Sequence, residues 1–491
     1  MKKYSSYIIC LCACWQLLAQ QTTSIDKIVL TLEDAIELSK SKSIDYLTAK
    51  NNAEVNYWEF QSYEAGFFPS LNINGILPNY QRSINRITAD DGTDIFIGQN
   101  QAFSSISLDV NQIVPFTGGE FSVSSSLNRI DIFSNPNFTT YSSTPLTISY
   151  FQESLFYNPF RWERKIQPLI FEESKRELVE QLEDISFNTT TRFFDYILAK
   201  IKSDNATINK KSQDTIYKIS QGRFNIGKLY ENDVLQSELS LLNAEKELII
   251  SKNELKLTKQ ALLDQLGIQG ESDIELIIPE QLIFVKIDSV QLFEKAFENR
   301  KLRIEHQRKI AEAEEAIAKT RSEGFTLGIT GNFGLTQQDE LLRRVYSDLL
   351  VQQNFSLTFS APIFSWGKRK AERKIAKANL DLIRSSNEQE LQTARRELSL
   401  KYLEWQQIEL SVKITKKASE IAVKRYNASK RRFAIGKVSI TDLNIAQSEK
   451  DTAIYNYYQS LREYWELYYE LRKLTLYDFI KDENIIKKDA E

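Results

Sequence analysis

Two periodicities divide this chain. In one set of stretches, apolar residues alternate one for one with small polar ones. Leu71 and Ile73 alternate with Asn72 and Asn74, Ile106, Leu108 and Val110 with Ser105, Ser107 and Asp109, and Phe121, Val123 and Leu127 with Ser122, Ser124 and Ser126. Further along, Leu327, Ile329 and Phe333 alternate with Thr326, Gly328, Thr330 and Asn332, and Phe355, Leu357 and Phe359 with Ser356, Thr358 and Ser360. Successive side chains of a strand point to opposite faces, so a period of two with one apolar face predicts half-buried strands. The polar faces are Ser, Thr, Asn and Gly. That fits a wet lumen with lipid or core outside, and each run is near the ~10 residues of a membrane strand. A soluble β-sandwich gives the same alternation.

The other stretches are helical. Leu30-Thr31-Leu32-Glu33-Asp34-Ala35 opens a helix read over 30–65, with Thr31 as N-cap and two acids at the positive end of its dipole. A similar helix is read over 288–323. Long helices follow over 160–225 and 367–433, each about sixty residues and so ~90 Å at 1.5 Å per residue. Pro168 is read as lying near the start of the first, where proline is tolerated. Both long helices close at Ile-Gly-Lys, with Gly227 or Gly436 in the left-handed slot, and return helices follow over 230–266 and 440–476. In the first return helix Val234, Leu241, Leu248, Leu255 and Leu262 fall every seventh residue beside a neighbouring ladder of Leu235, Leu242, Ile249 and Leu263. Two adjacent seams give each helix two partners, and helices with two partners can close into a tube.

The chain writes this plan twice. Glu163-Arg164-Lys165-Ile166 recurs 209 residues later as Glu372-Arg373-Lys374-Ile375, and Arg223-Phe224-Asn225-Ile226-Gly227-Lys228 recurs at the same offset as Arg432-Phe433-Ala434-Ile435-Gly436-Lys437. Asp233 and Asp442 keep that offset, whereas Gly66-Phe67 and Gly324-Phe325 lie 258 apart. The chain is therefore a tandem duplication, with repeats over 30–267 and 288–476. The difference of 49 residues is an extra β-hairpin in the first copy, turning at Pro115-Phe116-Thr117-Gly118-Gly119. A linker is read over 268–287 and a loose polar tail over 477–491.

Composition narrows the chemistry. All three cysteines, Cys10, Cys12 and Cys14, lie in the first fourteen residues, and His306 is the one histidine. With that N-terminus cleaved, no thiol is left for a disulfide, a cysteine nucleophile or a zinc cluster. His306, in a charged helical run, reads as a solvated helix-face residue. A net charge of −3 without a basic block gives no footprint for nucleic acid. Residues 1–20 read as an export signal followed by a linker over 21–29: Lys2-Lys3, an apolar stretch to Leu18, then Ala19. Acylation at Cys14 is the competing reading. No later segment has the ~18 consecutive apolar residues of a membrane helix, so a crossing would need a closed β-barrel.

Helix, strands, long helix, glycine turn and return helix, twice over behind an export signal, resemble the TolC-like outer-membrane efflux family. The motifs are Gly66-Phe67-Phe68-Pro69-Ser70-Leu71 and the two Arg-Phe-x-Ile-Gly-Lys turns followed by Asp233 or Asp442. The resemblance implies an α+β membrane channel without enzymatic activity or cofactor. A homotrimer would share one transmembrane β-barrel in outer-membrane lipid, continued by an α-helical tunnel through the periplasm. A periplasmic adaptor and an inner-membrane transporter would be its partners, in efflux or type I secretion.

The resemblance also implies site residues. Asp442 matches a position where three carboxylates ring the axis of a periplasmic gate; its local sequence, Ser439-Ile440-Thr441-Asp442, equally suits a helix N-terminus. Asp233 is its counterpart. A second family aspartate is Ile445 here, a lock arginine is Val438 and a lock tyrosine is Phe433. An apolar closure by Phe433, Val438 and Ile445 is expected in place of an ionic one. Arg223, Ile226, Gly227, Lys228, Arg432, Ile435, Gly436 and Lys437 resemble adaptor-docking tips, and are also good helix C-caps. A coiled-coil scaffold and an exported carboxylate enzyme are the competing functions.

Overall fold

The computed structural model describes residues 28–133, 136–270 and 272–486. The export signal and Cys14 lie outside the described residues. In chain order the elements are β1 (Ile28–Leu30), α1 (Leu32–Lys42), α2 (Ile44–Ala65), β2 (Ser70–Thr88), β3 (Asp94–Val114), β4 (Gly119–Ile132), β5 (Phe138–Gln152), α3 (Pro159–Asn225) and α4 (Glu231–Gln265). The second repeat supplies β6 (Ile274–Leu276), α5 (Ser289–Asn299), α6 (Lys301–Ser322), β7 (Thr326–Asp339), β8 (Leu350–Ser360), α7 (Lys368–Ala434) and α8 (Ile440–Thr475), with short β9 (Tyr477–Asp478) and β10 (Glu483–Asn484) after it. They fall into two compact units. A helical unit holds residues up to 51, 178–299 and 396 onward, and a sheet unit holds 52–177 and 300–395.

In the sheet unit one six-stranded antiparallel sheet runs in the order β2-β3-β4-β5-β7-β8. The extra hairpin therefore belongs to the same sheet as the strands of the second repeat. Its turn is held by Asn158 Nδ2, which donates to Pro115 O at 2.8 Å. Register aligns the alternation across all six strands. Leu71 pairs with Val110, Val110 with Val123, Val123 with Ile148, Ile148 with Phe333 and Ile329 with Leu357. One step along, Asn72 pairs with Asp109, Asp109 with Ser124, Ser124 with Thr147, Ser149 with Asn332 and Asn332 with Asn354. Over these rungs one face is apolar and the other polar. Strands β2 and β8 each have one unpaired edge.

The helical unit has its own core. Phe193 and Phe194 of α3, Leu262, Leu263 and Leu266 at the end of α4, Leu292 of α5 and Leu461, Tyr464 and Leu471 of α8 are all nearly inaccessible. Beside them lies a buried ionic network. Glu183 accepts from Lys40 Nζ at 2.8 Å and from Arg472 Nε at 2.9 Å, and Arg472 Nη1 donates to Asp478 at 2.9 Å. Burial is the strongest single influence on Arg472 and opposes its charge, but Glu183, Tyr468 and Asp478 together outweigh it and hold the pKa above its ordinary value. The segment read as a loose tail is therefore tied down as far as Asp478: Tyr468 also donates to that carboxylate at 2.9 Å, and Asn299 Nδ2 reaches Thr475 O at 3.0 Å.

Three local readings change. The helices read over 30–65 and 288–323 are each broken in two, because Ser43 and Arg300 adopt extended backbone. Ser43 then accepts from Tyr46 N–H at 3.0 Å, opening a fresh helix. Pro168 lies inside α3, two turns past its start, and Pro159 takes the first position instead; a proline there removes one backbone hydrogen bond. His306 is not solvated: its ring bonds Glu390 at 2.9 Å and is largely covered. No described helix is long and apolar enough to cross a membrane.

Candidate functional site

The two glycine turns come together in the helical unit. At each, the chain closes its long helix with a pair of backbone bonds. Gly227 N–H bonds Phe224 O at 2.8 Å and Lys228 N–H bonds Arg223 O at 2.8 Å; Gly436 bonds Phe433 O at 2.9 Å and Lys437 bonds Arg432 O at 3.0 Å. Both glycines have positive φ, +69° and +76°, which no side chain adopts cheaply. Ile226, Gly227, Lys228, Ile435, Gly436 and Lys437 are all exposed at these tips, and so is Arg432.

The tips are alike in backbone and unlike in side chains. Phe433 is buried with Ile216, Tyr426, Ile440 and Leu443, whereas Phe224 at the same place in the first copy is 43% exposed. Arg223 is half-buried and reaches across to the second tip. Its Nη2 donates to Phe433 O at 3.3 Å and Ala434 O at 3.2 Å, and its guanidinium lies 5.6 Å from the centre of the Phe433 ring. A cation on the last carbonyls of a helix is favoured by the helix dipole, and a cation over a ring by its quadrupole. Arg432 makes no such crossing. The sequence motif carries no trace of this clamp, since both copies hold the same Arg-Phe pair.

A cleft of about 890 Å³ opens between the tips, lined by Arg223, Asp233, Phe433, Ile435 and Val438 among others. Asp442, Ile445, Gly227 and Arg432 are not among its walls. Asp442 caps α8: its N–H bonds Ser439 Oγ at 3.1 Å, and the Ser439 hydroxyl donates back to the Asp442 carboxylate at 2.7 Å. Its carboxylate nevertheless stays exposed, so capping does not use up its charge. In the first copy Tyr230 stands where Ser439 does and gives no side-chain cap. Val438 is half-buried and Ile445 is 46% exposed. Of the three residues read as an apolar closure, Phe433 is thus committed within its own chain.

Residues 296–475 match the outer membrane efflux protein family. The described fold is similar to three solved channels. They are the CmeC outer membrane channel of Campylobacter jejuni (TM-score 0.65, 16% identity, 90% of this chain and 85% of that one), the outer membrane protein VceC of Vibrio cholerae (0.62, 12%, 90% and 95%) and the open MtrE outer membrane channel of Neisseria gonorrhoeae (0.61, 15%, 93% and 93%). The chain carries an outer membrane efflux protein domain within its second repeat. No curated protein matches it by sequence. The family match covers much of the second repeat.

Proposed function

We propose that this chain is an outer-membrane efflux channel rather than an enzyme, and that three copies of it close into one conduit of a tripartite efflux or type I secretion assembly. One observation carries the reading: a single six-stranded sheet with an apolar face, a polar face and two unpaired edges. An open sheet of that kind is unstable against pairing, and pairing β8 of one copy with β2 of the next removes both edges. Three copies bring eighteen strands, a number that leaves a water-filled lumen in known barrels. Exposed ladders support the same closure. Leu235, Leu239, Leu242 and Ile249 on α4, and Leu400, Leu403, Leu410, Ile414 and Ile421 on α7, stand in solvent at three-, four- and seven-residue spacing. Such a stripe on a helix is a seam awaiting a partner.

In this assembly the two tips face the periplasm and are the docking points for a periplasmic adaptor, which in turn meets an inner-membrane transporter. Arg223, with Ile226, Gly227 and Lys228, and Arg432, with Ile435, Gly436 and Lys437, present two quasi-equivalent tips per chain. Asp442, exposed beyond its cap, supplies one carboxylate per chain to a ring near the axis, where like charges repel and cations collect. The Arg223–Phe433 clamp holds the tips of one chain together, with Val438 and Ile445 free to meet neighbouring copies and Asp233 behind them.

The test is reconstitution. Protein extracted with detergent is expected to run as a trimer and to open discrete ion-conducting events in planar bilayers, while Leu403→Asp with Leu410→Asp abolishes the trimer. A detergent-independent monomer with no conductance would refute the reading.

A further inference from the structure

Where β8 gives way to α7, six cations surround a cleft of about 570 Å³: Arg321 on α6 and Arg369, Lys370, Arg373, Lys374 and Lys377 on α7. None of the six is within ion-pairing distance of a described carboxylate; Glu372, beside them, reaches toward Lys368 at 3.8 Å. The guanidinium groups of Arg369 and Arg373 converge on Gly324, filling the space that any side chain there would need. Like charges gathered without an acid repel one another unless an anion joins them.

The duplication supplies an internal control. In the first repeat the positions of Arg321, Phe325 and Arg369 hold Tyr63, Phe67 and Phe160, which pack as an aromatic run with ring centres 5.1 and 6.2 Å apart. The counterpart of Lys374 is Lys165, paired with Glu314 at 2.9 Å, and the counterpart of Lys377 is Pro168. Arg161, Arg164 and Lys165 keep the charges of Lys370, Arg373 and Lys374, so what the second repeat adds is Arg321, Arg369 and Lys377, and those three are not a requirement of the fold. Beside the cleft, Ile363, Phe364 and Trp366 are 100%, 70% and 90% exposed, with the two rings perpendicular at 4.5 Å.

We propose that this cleft binds the phosphate headgroup of an anionic phospholipid at the periplasmic rim of the barrel. Arg369 and Arg373 take the phosphate oxygens, and Ile363, Phe364 and Trp366 lie along the first acyl carbons. The proposal rests on the channel reading above. Guanidinium forks match phosphate geometry, and aromatic girdles mark the membrane interface of barrels. The apolar trio beside the cations is what favours a lipid over free phosphate.

Native mass spectrometry of the detergent-purified protein, loaded with phosphatidylglycerol or phosphatidylcholine, tests this. Wild type is expected to retain phosphatidylglycerol about tenfold better, the size of one good charge-assisted contact. Arg369→Gln with Arg373→Gln should bring the ratio to about one, Trp366→Ala should weaken retention, and Lys416→Gln with Lys417→Gln should leave it unchanged. Equal retention of the two lipids by wild type, an unchanged ratio in the double variant, or equal binding of inorganic phosphate and lipid would overturn the site. So would a double variant that loses its trimer while keeping its lipid preference, since the cations would then serve contacts between copies. Wild-type protein that retains phosphatidylglycerol but conducts no ions would refute the channel reading instead.

Discussion

The helical unit and the sheet unit are built from the same duplicated chain, yet only one encloses an apolar core of its own. Both clusters of buried apolar residues among the described residues belong to the helical unit. It also encloses charged groups and satisfies them, with Glu183 and Asp478 each taking two or more donors. The sheet unit instead leaves Phe355, Leu357 and Phe359 in the open on its edge strand and has a free edge at each side. Burying apolar area stabilises a fold only where something covers it. The core of the first unit is covered by its own chain, although its ladders on α4 and α7 stay exposed; the second unit has no such core and needs lipid and further copies.

The largest effect should come from breaking the network inside the unit that has its own core. Glu183→Ala leaves Lys40 and Arg472 buried without their shared carboxylate. Removing one partner of a buried pair costs about 3–5 kcal/mol, read as a lower unfolding temperature of the helical signal in circular dichroism. An effect below about 1 kcal/mol would mean that water compensates the two cations and that the unit is less closed than it looks.

Next comes the unit that depends on its surroundings. Phe355→Arg, on the apolar face, should cost about 2–4 kcal/mol in a bilayer and abolish insertion, whereas Ser356→Arg, one residue along on the polar face, should insert and alter ion selectivity. If the two behave alike, the sheet has no lipid side.

A smaller effect depends on pH. Burial pushes Tyr464 up to about 12, against about 10 for an unhindered tyrosine. The native state holds the neutral form while the unfolded chain ionises first. The contribution is therefore complete below pH ~10 and disappears as pH rises to ~12. It is on the order of 2 kcal/mol. Tyr464→Phe should flatten the alkaline loss of stability, at a cost near 1 kcal/mol at neutral pH for the bond from its hydroxyl to Ile283 O at 2.6 Å. An unchanged alkaline slope would count against it.

The smallest contrast compares the two tips. Arg223→Ala removes two bonds and a ring contact and should cost about 1–2 kcal/mol, with more frequent resting openings in bilayer recordings. Arg432→Ala should stay within about 0.5 kcal/mol, as exposed substitutions do. Equal effects would erase the asymmetry of the clamp.

Much was legible in the residues. The alternation of Leu71 with Asn72 or Phe355 with Ser356 needs no distant information, because a strand sorts side chains by parity. Gly227 and Gly436 announce their turns, because positive φ is a local steric matter. The offset repeats disclosed the duplication, and with it the order of elements and the resemblance to a channel family. Helix breaks at Ser43 and Arg300 were harder to see: an extended residue between two good helical stretches is a tertiary decision, and Arg300 has no cap residue beside it.

Sequence alone determined what can be settled within a few residues: which face of each strand is apolar, where each long helix turns, and that the unit occurs twice. Tertiary structure decided what depends on residues far apart in the chain. It joined Glu183 to Arg472, and it laid Arg223 but not Arg432 across the opposite tip. It also set six strands from both repeats into one sheet and gathered six cations around one cleft, where the duplicate junction has aromatic rings in place of two of them. Periodicity and turn chemistry act through neighbouring backbone, so they leave a local signature; ion pairs and packing between distant segments act through space and leave none.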